Sequence, residues 1–319
     1  MTAPAAALPM GRFQVAAGHE AEQARRRAIL AAHPEIRRLF GPSPASAPII
    51  LALVAGQWGM AFLLRDQPVW LMVLAAFGIG AFLANALTAL VHEACHGLVF
   101  GKPAADRLAG LAANLGLVTP SAMAFFHYHG WHHAWMGHYE MDVGIPTEAE
   151  AHWVGDRPWR KAVWLAAFPY FQWRRTLKFQ YREPFWDGWM VANLAIQVAA
   201  DLILFWLTGW VGIAYLLLSY LFSIGFHPLG TRVVQEHFLV REGEETSNYI
   251  GPGSLLELNF GYHAHHHDFP RVAWIRLPAI ARLAPEFYAE IPTHRSRIAL
   301  MASFILDRRW TVWRHAVRP

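Results

Sequence analysis

The chain has 319 residues, 55% of them apolar and only 16% charged. Soluble domains carry about 25% charged residues, and the apolar residues here fall in long runs, which excludes an ordinary soluble protein and indicates a membrane protein. The net charge of +4 suits an anionic membrane surface, no nucleic-acid motif accompanies it, and the lone Cys95 excludes an internal disulfide or a Cys-based zinc site.

Taken in chain order, the first stretch, MTAPAAALPMGRFQ, lacks the basic-then-apolar layout of a signal peptide. Insertion is therefore expected to be directed by internal apolar segments, with residues 1–47 left as a cytoplasmic leader. Four stretches come near the roughly 20 apolar residues that span the hydrocarbon core: Pro48–Leu64, Pro68–Val91, Gly188–Leu207 and Trp210–Gly230. Linkers of two or three residues within each pair, Arg65–Gln67 and Thr208–Gly209, predict two tight helical hairpins. The fold expected is thus all-α: a polytopic membrane protein with four transmembrane helices and a cytoplasmic helical cap, residues 1–319 forming one domain.

Of the 27 basic residues, 6 precede Ala47, 9 lie in 97–187 and 11 follow from Thr231, leaving only Arg65 at a hairpin tip. An even number of spans puts all three basic segments on one side, which the positive-inside rule makes cytoplasmic. Both termini are then cytoplasmic. Arginine far outnumbers lysine, a bias common in GC-rich genomes, which favours a bacterial inner membrane over an endoplasmic reticulum membrane. Two further apolar stretches, Leu108–Phe126 and Ala162–Trp173, are interrupted by Pro120 and Pro169. They are expected to lie in the interface or cap the site, with Arg174, Arg175 and Lys178 following the second; an extra pair of spans is the competing reading.

The chemistry lies in the histidines. His92 and His96 sit four apart at the cytoplasmic end of the second span. His129, His132 and His133 form one H-x-x-H-H cluster, His263, His266 and His267 a second, and His237 lies between them. Residues i, i+3 and i+4 share a helix face, so each triplet is expected to aim at a common point. Nine clustered histidines are too many for one ion of coordination number four to six, so the count implies two metals. Imidazole suits Zn, Cu, Fe and Ni alike, so spacing does not name them. His92-Glu93-Ala94-Cys95-His96 also satisfies the H-E-x-x-H pattern of zinc proteases, but a protease needs only one further ligand. A metal transporter would place its ligands near the bilayer midplane; here they flank the membrane on one side.

Glu93, Asp142, Glu236 and Asp268 adjoin the clusters and are candidate acceptors for the outer imidazole N–H groups. His227, before Pro228, is a candidate outer-sphere or alternative ligand, and Asn259, which opens the segment leading into the third cluster, is a further candidate for supporting the ligands from behind. Asn85, two helical turns before His92, is a candidate for lining a substrate channel, with helix packing as the competing reading. His265 is expected on another helix face. His19, His33, His152, His294 and His315 are expected at the surface, and His127 and His138 beside the second cluster without touching metal.

At these boxes the chain resembles the membrane fatty-acid desaturase superfamily, and over nearly its whole length the sphingolipid Δ4-desaturase (dihydroceramide desaturase) family. The resemblance rests on Arg25–Pro44 (RRRAILAAHPEIRRLFGPSP), a leader that simple acyl-CoA desaturases lack, on Asp142–Glu148 (DVGIPTE), on Gly225–His237 (GFHPLGTRVVQEH) and on Asn259–Pro270 (NFGYHAHHHDFP). It implies two iron ions held by His92, His96, His129, His132, His133, His237, His263, His266 and His267. It further implies O2 as co-substrate and trans-desaturation between C4 and C5 of a ceramide-type lipid. Some relatives hydroxylate C4 instead, and an acyl-lipid substrate is a further alternative. No electron-carrier segment is present, so electrons are expected from a separate cytochrome b5-like or ferredoxin-like donor. The chain departs from the family at His265, usually Glu, at Arg232, usually His, and at Phe13–Ala17, where the family start is aromatic-rich.

Overall fold

The protein is described by a computed structural model covering residues 11–16, 19–177, 186–240 and 246–318. The first ten residues, Ala17 and Lys178 lie outside the described residues, as does the side chain of His19. The chain is largely helical. The helices that matter below are α1 (His19–Ala32), α2 (Ser46–Leu64), α3 (Val69–Cys95), α4 (Pro103–Asn114), α5 (Ala122–Trp135), α6 (Glu148–Val154), α7 (Pro158–Ala166), α8 (Phe168–Thr176), α9 (Gly188–Ile224), α10 (Arg232–His237), α11 (His263–Asp268), α12 (Leu277–Leu283) and α13 (Arg297–Leu306).

Three helices among the described residues are long and apolar enough to cross a membrane: α2, α3 and the stretch begun by α9. The second outruns its expected end at Val91, because His92–Cys95 continue the helix. Near its middle it widens into a π turn at Ala76–Gly80. The two spans expected after Gly188 form one helical stretch whose continuity breaks at Gly209, with φ 63° and ψ −158°. That backbone region is essentially reserved for glycine, and Trp206 and Trp210 stand exposed on either side of it.

The two proline-interrupted stretches are also divided. α4 ends at Asn114, whose side chain ties the following turn: Nδ2 donates to Thr119 O at 2.6 Å, and Oδ1 accepts from Ala122 N at 2.6 Å and Ser121 N at 3.1 Å. α5 starts only after that turn. The second stretch splits at Ala167 into α7 and α8, each 9 residues long. None of these helices has the length of a span.

The all-α expectation needs one correction. Two short parallel strand pairs occur, Gln14–Val15 with Ala316–Val317 and Asn248–Tyr249 with Thr293–His294. The first joins the two ends of the chain.

The packing is layered. Leu87, Leu90 and Val91 of α3 meet Leu111, Ala113, Leu117 and Met123 between α4 and α5. Trp164, Leu165, Phe238, Phe304 and Trp313 form a second core. Ile29 and Ile36 of the leader are buried with Ala264, Phe269, Val272 and Ile280 in a third. Each such isoleucine contributes about 1.5–3 kcal/mol by leaving water, enough to fix the leader against the segment that follows α11.

Candidate metal centre

The nine clustered histidines converge from α3, α5, α10 and α11. They form two groups. His92, His96, His129, His133 and His266 bring one ring nitrogen each within 4.8 Å of one another, and His132, His237 and His267 do the same. His263 joins the second group, its Nε2 lying 3.1 Å from His237 Nε2 and 3.0 Å from His267 Nε2. The triplets therefore do not each aim at one point. Within α5 the i,i+4 pair His129 and His133 serves the first group and His132 the second. Within α11 the pair His263 and His267 serves the second group and His266 the first.

The nitrogen spacing is that of a coordination shell. In the first group, Nε2 separations are 3.1 Å for His92–His266, 3.3 Å for His266–His133, 3.0 Å for His133–His129 and 2.9 Å for His129–His96. Neutral imidazole has one N–H to donate, so a run of five Nε2 atoms is poorly satisfied as hydrogen bonds. Ligands at right angles on bonds of about 2.1 Å stand about 3.0 Å apart, so one cation would use all these lone pairs at once. Protonation does not compete: burial first, and neighbouring imidazoles second, push His129, His263, His266 and His267 well below the ordinary histidine range and His96 down to about 4. The residues fit a metal pair.

His132 differs from the rest. Its Nδ1 lies 3.0 Å from both Asp142 oxygens, and that carboxylate also accepts from Gly137 N at 3.0 Å and Gly144 N at 2.8 Å. Burial works to lower His132, but the Asp142 charge and hydrogen bond outweigh it and leave His132 raised. Burial likewise works to raise Asp142, and His132 reverses this, holding the carboxylate below its usual range. The arrangement keeps the His132 proton on Nδ1 and turns Nε2 toward its group, as in carboxylate–histidine–metal triads.

The other candidates are placed unevenly. Glu93 Oε2 accepts from Trp274 N at 3.0 Å, and its Oε1 lies 4.0 Å from His92 Nδ1. Glu236 Oε1 lies 3.9 Å from His263 Nδ1 and 3.4 Å from Arg232 Nε. Asn259, in a left-handed conformation at φ 55°, donates to Trp274 O and not to an imidazole. Asp268 turns away from the histidines to Arg25 and Tyr288. His227 packs its ring 4.3 Å from that of Phe77 and accepts from Leu229 N. Phe77 precedes His92 by fifteen residues of α3, roughly 22 Å of helix, so His227 stands apart from both groups. Asn85 is buried with its Nδ2 unpartnered.

His265 is buried on the far face of α11, stacked 3.8 Å from the Tyr288 ring. His127 faces Asp187 and His138 pairs through its backbone with Arg318, both outside the two groups. Two surface expectations are overturned, since His294 and His315 are buried. The His315 ring lies 6.0 Å from His237, and burial pushes it to about 4. Neither has a neighbouring histidine at helical spacing, so no pattern in the sequence marked them. His152 is exposed as expected, whereas His33 is half-buried against Glu286.

Comparison with known proteins gives the family. The fatty acid desaturase family model matches residues 68–298, and the sphingolipid Δ4-desaturase model matches residues 20–45. A sphingolipid delta(4)-desaturase-like protein of Oryza sativa subsp. japonica is 37% identical over 290 residues, 91% of this chain and 87% of its own length. The sphingolipid delta(4)-desaturase of Homo sapiens is 34% identical over 89% of this chain and 87% of its own. A second human relative, named sphingolipid delta(4)-desaturase/C4-monooxygenase, matches at the same identity and coverage. The chain belongs to the fatty acid desaturase family of membrane-embedded oxidoreductases, in its sphingolipid Δ4-desaturase branch. That family is generally diiron-dependent.

Proposed function

We propose that this protein is an O2-dependent diiron sphingolipid 4-desaturase, which places a trans double bond between C4 and C5 of the sphingoid chain of a dihydroceramide-type lipid. One observation carries the reading: nine histidines divide five and four about two points in a chain one-third identical to enzymes named for this reaction. The substrate loses two hydrogens, and O2 with two electrons and two protons becomes two waters. The electrons come from a separate cytochrome b5-like or ferredoxin-like protein.

His92, His96, His129, His133 and His266 would hold one iron, and His132, His237, His263 and His267 the other. Bound there, iron would supply the O2-activating chemistry for an unactivated C–H bond. Asp142 holds His132 in the right tautomer. Glu93 and Glu236 need to close by about 1 Å to accept from His92 and His263 at hydrogen-bonding distance. The apolar faces of α3, α4 and α5 exclude water along the path of the chain, and Asn85 lines it.

Four spans suit this site better than three. An unbroken 37-residue helix would be about 55 Å long, nearly twice the hydrocarbon thickness. The Gly209 break instead allows two crossings. An even count also brings both chain ends to one face, as the pairing of Gln14–Val15 with Ala316–Val317 requires. By the basic-residue distribution that face is cytoplasmic, in a bacterial inner membrane, and residues 1–319 work as one domain.

The relative named for both activities favours a second outcome at the same site. In C4 hydroxylation, one O2 atom enters the C4–H bond and the other leaves as water. Mass spectrometry of long-chain bases from a dihydroceramide-producing host expressing the protein separates the two. A 4,5-double bond is expected, and a 4-hydroxyl marks the second reading. If neither product appears, the sphingolipid assignment fails, and new unsaturation in acyl chains alone would redirect it to acyl lipids. The variants His132→Ala and His266→Ala should abolish whichever product appears.

A further inference from the structure

We propose that Arg25 is a positioning residue for the metal centre: the leader clamps the third histidine box from behind through Asp268. This rests on the two-iron reading above. α11 is only six residues long, too short to hold its own shape, yet it carries His263, His266 and His267. Its N-terminal end is held by Ala264 N donating to Asn248 Oδ1 at 3.0 Å. Its C-terminal residue, Asp268, directly follows His267 and is wholly buried.

Arg25 grips that carboxylate with two nitrogens. Nε donates to Oδ2 at 2.9 Å and Nη2 to Oδ1 at 2.9 Å, across 243 residues of sequence. Tyr288 Oη adds a third bond to Oδ2 at 2.9 Å, and the same Tyr288 ring stacks on His265. A two-pronged guanidinium–carboxylate pair fixes orientation as well as distance. Further contacts from the leader make the clamp rigid. Ile29 and Ile36 pack with Ala264 and Phe269, Gly41 N donates to Arg271 O at 2.9 Å, and Arg276 returns a bond to Gly41 O. The leader is the segment matched by the sphingolipid Δ4-desaturase model, residues 20–45. It thereby acts on the iron ligands without touching them.

The two groups should feel the clamp unequally. α11 supplies two of the four histidines of the second group but one of the five in the first. Loosening α11 therefore empties the second group first.

The test is iron per chain in detergent-purified full-length protein. The wild type is expected to hold about two irons, Arg25→Gln about one, and Arg25→Lys an intermediate amount. Glu286→Gln removes the charge from the contact between the same leader and residues after α12 (His33 Nε2 to Glu286 Oε1, 2.5 Å) without touching α11, and should keep two. Adding His237→Ala to Arg25→Gln should then change nothing, whereas adding His96→Ala should lower the remaining iron below one per chain. If Arg25→Gln does not fold, Asp268→Asn weakens the same clamp, leaving the unpaired charge on the partly exposed Arg25 instead of on the fully buried carboxylate, and is read the same way. Two irons retained in Arg25→Gln, or equal losses in Glu286→Gln, would overturn the clamp. A wild type without iron would instead fail the diiron reading, and the clamp with it.

Discussion

The two histidine groups are built from different materials. The first draws His92 and His96 from the end of α3, a 27-residue helix long and apolar enough to cross a membrane, whose second half packs against α2, α4 and α5. The second takes His132 from α5, His237 from the six-residue α10 that closes the stretch begun by α9, and His263 and His267 from the six-residue α11. Short helices gain little from their own backbone, so their geometry is set by the hydrogen bonds at their ends. The first site is held by apolar packing and the second by polar contacts. Removing a polar contact should therefore be felt more in the second metal than in the first.

The largest expected effect follows from ligand count. His237→Ala leaves the second group three histidines, and His96→Ala leaves the first four. Both should lose activity by at least about a hundredfold, since even residues behind the ligands are worth 10–100-fold. Iron analysis should differ, with the second site empty in His237→Ala and the first partly filled in His96→Ala. Equal iron in the two variants would break the comparison. A smaller effect is expected for Asp142→Asn, which keeps the shape but loses the acceptor that orients His132. Iron affinity at the second site should fall by about 10–100-fold, with the first site unchanged. Glu93→Gln, whose oxygen stands 4.0 Å from His92, should cost the first site less. Titration of the metal-free protein with Fe2+ reads both.

Much of the site was legible because helical periodicity gathers histidines. The spacing of His92 and His96, and of both H-x-x-H-H boxes, marked eight imidazoles as sharing helix faces, and His237 was added by its place between the boxes. Their division was not legible. Residues i and i+4 lie about 40° apart around a helix and i and i+3 about 60° the other way, a difference that matters only once two centres sit side by side. The structure sends each i,i+4 pair to one centre and each i+3 partner to the other. Tertiary partners were equally hidden. Nothing near Asp268 in sequence announces Arg25, 243 residues away, and proximity to His267 suggested an imidazole partner instead. The long apolar helices were legible from composition alone, but the continuation of α3 through His92 was not, because the histidines lower the apolar signal where the helix still runs. The end-to-end strand pair was invisible, since two residues carry no alternation.

The gentlest change tests the contrast most sharply. Gln235 lies in α10 beside His237 and is fully buried. Its Nε2 donates to Ser247 O at 2.5 Å, its Oε1 accepts from Arg297 Nη1 at 3.1 Å, and its backbone oxygen accepts from Ser247 Oγ at 2.5 Å. Gln235→Leu preserves bulk but strands a buried carbonyl and one arm of a guanidinium that otherwise holds Glu257. Leaving such groups unpaired costs about 1–3 kcal/mol. Part of that cost falls on global stability, read as a lower Tm in detergent. The rest falls on the placing of His237, and should appear as a several-fold weaker second iron with the first unaltered. If both irons weaken together, the two centres share one support and the contrast between packing and hydrogen bonding is wrong. If Tm falls and neither iron moves, α10 is held by its apolar contacts, Val234 and Phe238 in the second core, and the second site is built like the first.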